Sequence, residues 1–394
     1  MGAKNTTYLY ILISFLLLQS CVEPFEFENE NFENVLVVEA TLTNEEKFQE
    51  VLLSRSFPLN FTGAFPEQGA RVSIMDNTGN QFYFNETTPG RYVSSNTFSA
   101  IEGRLYNLEI TTRDGKNYTS DASGFKGTTS IENIYGVLTQ NQEGVQGIDI
   151  RINSAGSQEN TGYYRYEYIE TYKILSRYFR YREAVLITNN NNNNVEVVVV
   201  EKTIQDNTCF NSAESSEILL SNSTSLNQDR VVGSFLRFIR QDNPVFANRY
   251  SILVKQYGIS REAFSYYQSL KELSESESLF SQIQPGLLAG NMVSLDNPAE
   301  YVLGFFSVAS VTERRAYFNY VDFYNPVEQP KPHFTDSCPL EYPTQLLEIQ
   351  FFAQSEQYRL YSYDPASGEY IFVNAACIDC TLLGSNIVPE FWEE

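Results

Sequence analysis

The chain carries a single histidine, His333, in the stretch "PKPHFTDSC". A histidine-dependent triad or a two-histidine metal site must use this residue or do without. No HExxH, GxSxG or P-loop pattern occurs, so zinc hydrolysis, the serine-hydrolase elbow and phosphate cradling all lack their signatures. Ser123-Gly124-Phe125-Lys126 matches SxxK, which needs its serine and lysine one helical turn apart. Flanking glycines and the missing KTG companion mark this copy as a chance match. Cys377-Ile378-Asp379-Cys380 has the spacing of a redox pair, but no βαβ pattern surrounds it. Among 49 acids some carboxylate pair is always possible, so glycoside hydrolysis is the enzyme reading left open.

The start of the chain is more explicit. In "MGAKNTTYLYILISFLLLQSC", Lys4 and the amino terminus are positive and Tyr8 to Leu18 form an apolar run of eleven residues. A bilayer span needs about 20 apolar residues, whereas a secretory signal uses a run of this length. Leu18-Gln19-Ser20-Cys21 resembles the lipobox at which bacterial lipoproteins are cleaved. An uncleaved anchor or a buried strand is the alternative, and the position at the very start of the chain favours the signal. Residues 1–20 are then removed, and Cys21 carries several acyl chains, which satisfies the need for more than one lipid in a stable anchor. Glu23, Glu26, Glu28, Glu30 and Glu33 follow, interleaved with Phe25, Phe27 and Phe32, while Pro24 keeps the chain extended. Residues 21–33 form a solvated tether on this reading. Acids placed directly after a lipidated cysteine also resemble the surface-export signal of Bacteroidota lipoproteins.

Cys209, Cys338, Cys377 and Cys380 remain beyond Cys21. An even number in an exported chain predicts two disulfides, with three possible connectivities. The simplest joins Cys209 to Cys338 and the neighbours Cys377 and Cys380. A zinc site would need all four sulfurs to converge, and only Cys377 and Cys380 have metal-like spacing. Asp76 with Asn77 and Asn80 has calcium-ligand chemistry, but a plain hairpin turn accounts for the same residues. No metal or cofactor is expected.

Without residues 1–20 the chain keeps 374 residues, with 26 basic residues against 49 acidic ones and a net charge of −23. A basic footprint for nucleic acid is absent, and the charge favours a neutral or cationic ligand. With 28 Phe and 27 Tyr, frequent Val, Ile and Thr, and Asn/Asp/Gly turns, the composition is that of a mainly β protein. Residues 34–124 contain seven short alternating runs, from "NVLVVEATLT" to "KNYTSD", separated by turns such as Asp114-Gly115. They predict a β-sandwich of about 90 residues with immunoglobulin-like or transthyretin-like layering.

Residues 125–394 predict a second β-sandwich-like domain. In "GYYRYEYIETYKIL" Tyr164, Tyr166, Tyr168 and Glu170 share one face, and Tyr163, Arg165, Glu167 and Ile169 the other. The tyrosine row is either a stacking platform or, as we expect, a packed sheet face with its hydroxyls at the rim. The six asparagines Asn189 to Asn194 form a hairpin tip or loop. A helical insertion near residues 260–280 starts at Ser260, a good N-cap, with Ala263, Tyr267, Leu270 and Leu273 on one face. Strands are expected again at "YVLGFFSVASV", "RRAYFNYV", "LLEIQFF", "YRLYSYD" and "EYIFVNA".

Several stretches in succession are similar to a lipoprotein family of Bacteroidota known as domain of unknown function 4249. They are "CVEPFEFENENFENVLVVEATLTNE", "GYYRYEYIETYKI", "RYSILVKQYGISREAFSYYQSLKELSES", "QPGLLAGNMVSLDNPAEYVLGFFSVASVTERRAYFNY" and "CIDCTLLGSNIVPEFW". The resemblance implies an outer-membrane lipoprotein, often found beside TonB-dependent transporters, with no established enzymatic activity. It carries over no site residue except the lipobox cysteine, Cys21. The expectation is a surface-exposed binding component, with an envelope subunit or adhesin as the alternative and a glycan hydrolase as the remote one. Cys21→Ala should leave an unlipidated precursor that no longer partitions into detergent; unchanged partitioning would refute the anchor.

Overall fold

The computed structural model describes residues 34–56, 65–157, 162–188, 195–223, 229–275, 288 and 290–394. The signal, Cys21, the tether and the asparagine run lie outside them. The described chain is mainly β, with several sheets. Four strands organise it: β1 (Leu36–Thr43), β2 (Tyr163–Leu175), β3 (Arg249–Gly258) and β4 (Leu303–Asn319).

These four lie side by side in the order β2, β3, β4, β1, within a fourteen-stranded sheet. β4 is long enough to serve two neighbours. Its first seven residues, Leu303 to Ala309, pair parallel with β1, and Ser310 to Asn319 pair antiparallel with β3. Beyond β1 the sheet continues through the N-terminal strands as far as Asn117–Ser120, and Met292–Ser294 closes that edge. The N-terminal core therefore takes Met292, Val302, Phe306 and Val308 from late in the chain, packed with Leu36, Val38, Ile74, Tyr92 and Tyr118.

The parallel pair depends on close backbone approach. Gly304 adopts φ +116°, and a Cβ there would lie 1.9 Å from the Val38 carbonyl oxygen. Just upstream, the buried Asn291 side chain bonds both the N–H and the C=O of Phe306 at 2.8 Å. Two buried backbone groups are thereby satisfied by one amide.

On the other side, a three-stranded sheet (Arg230–Arg240, Gln146–Gly156, Thr129–Gln140) packs on β2 and β3. Tyr164, Tyr166 and Tyr168 enter this second core with Ile148, Ile150, Ile152, Tyr250 and Val254. The tyrosine row is thus a packed face. Tyr166 shares hydrogen bonds with Ser154 (3.0 Å) and Ser221 (2.8 Å), and Tyr164 donates to Asp229 at 2.6 Å.

Helix α1 (Arg261–Glu275) forms where expected, and Ser260 Oγ accepts from the Ala263 N–H at 3.2 Å. Ala263, Tyr267, Leu270 and Leu273 share its less exposed side as expected, and Phe264 and Tyr266 widen the packed face.

"LLEIQFF" is a helix, α2 (Leu346–Gln354), and not the expected strand. Glu348 reaches back to the Gln345 N–H at 3.3 Å, and Ile349, Phe352 and Ala353 pack inward at 3–4 spacing. The local cap and the apolar face opposite Leu360 and Phe372 override the β-leaning composition.

The disulfides are Cys209–Cys380 and Cys338–Cys377, which corrects the simplest pairing. Two 3₁₀ turns, Ala375–Cys377 and Cys380–Leu382, separate the neighbouring thiols. The Cys380 N–H is bonded to the Asp206 carbonyl at 2.8 Å, so its side chain meets Cys209, while Cys377 faces the 337–338 loop. Cys209–Cys380 spans 171 residues, the kind of long closure that contributes roughly 2–4 kcal/mol.

Gly304→Ala should destabilise the protein by about 3 kcal/mol or more, through an unfavourable φ and a clash with Val38. Gly79→Ala, at a turn with open space around it, should cost less. Thermal melts of the two variants compare them, and an equal loss would contradict the close-approach argument.

Candidate functional site

β2 presents alternate residues to its two faces. The face opposite the packed tyrosines forms the floor of a cleft of about 640 Å³. β3 adds Lys255 and Tyr257, α1 adds Tyr267 and Leu270, and the connector Glu214 to Ile218 makes the far wall. That connector hangs on β2 through Ser215, whose N–H donates to the Tyr168 carbonyl (2.9 Å) and whose Oγ accepts from the Tyr168 N–H (3.0 Å).

Arg165 bolts the cleft together. Its guanidinium lies 4.3 Å from the Tyr257 ring centroid and 4.9 Å from that of Tyr267, joining β3 to α1. Nη1 donates to Glu167 Oε1 at 2.6 Å, and Tyr257 donates to Glu167 Oε2 at 2.7 Å. Burial alone would lower the Arg165 pKa, but Tyr267, Glu167 and Tyr257 more than offset it and hold it above the usual value. Burial first, and then Glu167, pushes the Tyr257 phenol far up, so it stays a donor. Tyr266 packs at a tilt against Phe305, ring centroids 5.2 Å apart, and ties α1 to β4.

Both Glu167 oxygens are engaged, while the Arg165 Nε is buried with no hydrogen-bond partner and Lys255 pairs with Glu45 and Glu313 at 3.9 Å. Glu39, Glu214 and Glu217 stand exposed at the rim with no hydrogen bond or ion pair. Leu52, Ile169, Ile218 and Leu270 supply apolar surface between them. Among the described lining residues, Ser215 is occupied by the Tyr168 backbone.

The other candidates are scattered. His333 is exposed in its loop, with its pKa lowered by burial of the ring and by Arg177. Ser123 forms an isolated β-bridge with Tyr106, and Lys126 lies outside any helix, so the one-turn SxxK geometry is not made. Asp76 accepts from Thr78 and Asn80, backbone and side chain alike, and from Arg104 at 2.8 Å. These bonds outweigh its burial and hold its carboxyl far below the usual range, and the feature is a hairpin turn. Among the described residues no three His, Cys, Asp or Glu side chains are grouped to hold a metal. Sequence reasoning placed Arg165 and Glu167 on a shared face but missed the wall. "AESSEI" carries no periodic signal, and only its closure over β2 makes it part of a site.

Arg165→Ala should lower stability by about 2 kcal/mol and speed amide exchange in α1 more than in β2. Arg165→Lys, which keeps the charge and loses the planar stack, should recover only part of this. Unchanged α1 exchange in Arg165→Ala would remove the bolt.

Residues 22–315 match the family described as "Domain of unknown function (DUF4249)", and the chain belongs to that family. No curated protein matches it significantly in sequence. Among solved structures, the crystal structure of a DUF4785 family protein from Legionella pneumophila subsp. pneumophila str. Philadelphia 1 aligns over 56% of this chain and 51% of its own, at 6% identity and TM-score 0.18. The chain spans about half the length of that protein, and so slight a likeness carries no argument about fold or function.

Proposed function

We propose that this family member is a lipid-anchored, surface-exposed outer-membrane protein that acts by binding, as an accessory to a TonB-dependent transporter. The observation that carries the reading is the cleft beside α1. Glu167 is spent on Arg165 and Tyr257, while three unpaired carboxylates and an apolar strip face outward. Such a surface suits a segment bearing both basic and apolar side chains, and a chain of net charge −23 steers cationic partners toward it. A lipid on Cys21 and a tether of residues 22–33 would give the folded part lateral freedom and a reach of up to roughly 40 Å, enough to dock over a barrel mouth. We also read the two β-rich halves as sandwiches, the N-terminal one immunoglobulin- or transthyretin-like. Two separate cores, one among the N-terminal strands and one between β2, β3 and the three-stranded sheet, support that layering.

Mild-detergent pull-down through a tag after Glu394 should recover a TonB-dependent barrel in near-stoichiometric amount. Combining Glu214→Lys with Glu217→Lys should reduce recovery at least severalfold without changing the melting temperature. Protease added to intact cells should reach the wild-type protein, and neutralising Glu23, Glu26 and Glu28 should protect it inside. Recovering no barrel, while the purified protein turns over a glycan or peptide, would reverse the reading in favour of an enzyme.

A further inference from the structure

A second cavity, of about 390 Å³, lies in the C-terminal region, apart from the cleft beside α1. It is bounded by the end of α2, by the strand Arg182–Thr188 and by the hairpin Tyr358–Asp364/Glu369–Asn374. Phe352, Ala353 and Leu360 supply apolar surface, and Arg180, Arg359 and Glu183 bring charge to it.

The buried charges behind this cavity do not balance. Arg180 and Lys202 pair with Asp206, and Arg180 and Arg359 both reach Asp379 Oδ2, at 3.4 Å each. Three cations thus share two carboxylates. The side chains of Arg180, Lys202, Asp206 and Asp379 are each 9% exposed or less, so water screens the surplus positive charge weakly.

Each arginine keeps one nitrogen uncommitted. Arg180 Nε and Nη2 donate to Asp206, at 2.9 and 2.5 Å. Arg359 Nε reaches Asp379, and its Nη1 donates to the carbonyls of Glu356 and Tyr358, both at 2.9 Å. Arg180 Nη1 and Arg359 Nη2 make no hydrogen bond among the described residues, and neither is sealed from solvent. The two guanidiniums line the cavity and converge on one Asp379 oxygen, so they stand side by side. Two N–H groups from adjacent guanidiniums suit the two oxygens of a carboxylate.

Glu183 lines the same cavity, half-buried, and makes no hydrogen bond or ion pair among the described residues, so it does not neutralise the arginines. A simple anion drawn to the guanidiniums would be repelled by Glu183. A ligand that carries an ammonium as well as a carboxylate answers both groups. The volume lies at the small end of the range for small-molecule sites, which suits one or two residues. We propose that this cavity binds a small zwitterion of the amino-acid class, its carboxylate on Arg180 and Arg359 and its ammonium on Glu183. Free amino acids and dipeptides share this chemistry and differ in the spacing of their two ends. The site does not depend on the transporter reading.

Calorimetry on the full chain tests this with apolar amino acids, dipeptides, their N-acetylated and amidated forms, and inorganic phosphate as an anion without an ammonium. Amino acids or dipeptides should bind, and the tighter class fixes the length of the ligand. Blocking either end should weaken binding about tenfold or more, the weight of one charge-assisted hydrogen bond, and phosphate should not compete. Glu183→Gln should cost a similar factor, leave the melting temperature unchanged and remove the penalty for N-acetylation. Arg359→Lys, which keeps the charge and loses Nη2, should reduce the penalty for amidation. The proposal is overturned if neither class binds at millimolar concentration, if blocked forms bind as well as free ones, if phosphate competes, or if Glu183→Gln binds like the wild type.

Discussion

The strand Leu303–Asn319 is shared by two cores, and the sharing is set by backbone geometry. A parallel pair cannot be closed by a hairpin, so β1 must wait for a partner more than two hundred and fifty residues later. Until β4 arrives, the N-terminal strands lack Phe306 and Val308 from their core. Gly304 admits the approach and Asn291 caps it. Folding of the first half is therefore tied to completion of the second, a topology with long loop closures and slow nucleation.

The C-terminal region is fastened differently. Its own core, Ile349, Leu360 and Phe372, is small. The attachment is made by two disulfides and by a buried cluster of charge. Arg180 bonds Asp206 at 2.5 Å and reaches Asp379 at 3.4 Å, Lys202 also meets Asp206, and Arg359 approaches Asp379 at 3.4 Å. Burial opposes ionisation of Asp379, but Thr381, Arg180 and Arg359 hold its pKa below the ordinary value. Such a cluster is weak evidence for net stability, because desolvation offsets much of the attraction. It does specify where the tail lies, since any other register would bury an unpaired charge. The tail then returns to the main sheet, where Trp392 packs edge-on to Phe210 and Tyr317.

In the cleft beside α1, Glu167 ties Arg165 to Tyr257, and the Arg165 guanidinium reaches the Tyr267 ring, so β2, β3 and the helix are held together. The Arg165 Nε stays buried with no hydrogen-bond partner, and the carboxylates of Glu39, Glu214 and Glu217 stand exposed at the rim.

Local chemistry in the sequence determined the features that depend on neighbours in the chain. The strand periodicity of Tyr163–Leu175, the Ser260 cap of α1 and the Asp76 turn are each fixed within a few residues, by side-chain alternation, one capping oxygen and one carboxylate. The family resemblance likewise followed from the succession of stretches along the chain. Tertiary structure decided what depends on residues far apart. Cys377 and Cys380 are neighbours in sequence, yet their turns send them to different partners. "LLEIQFF" has a β-leaning composition, yet the apolar surface it covers and the Glu348 cap make it a helix. No local pattern announces that "AESSEI" will wall a cleft. Those outcomes rest on which surfaces meet, and the partners lie far apart in the chain.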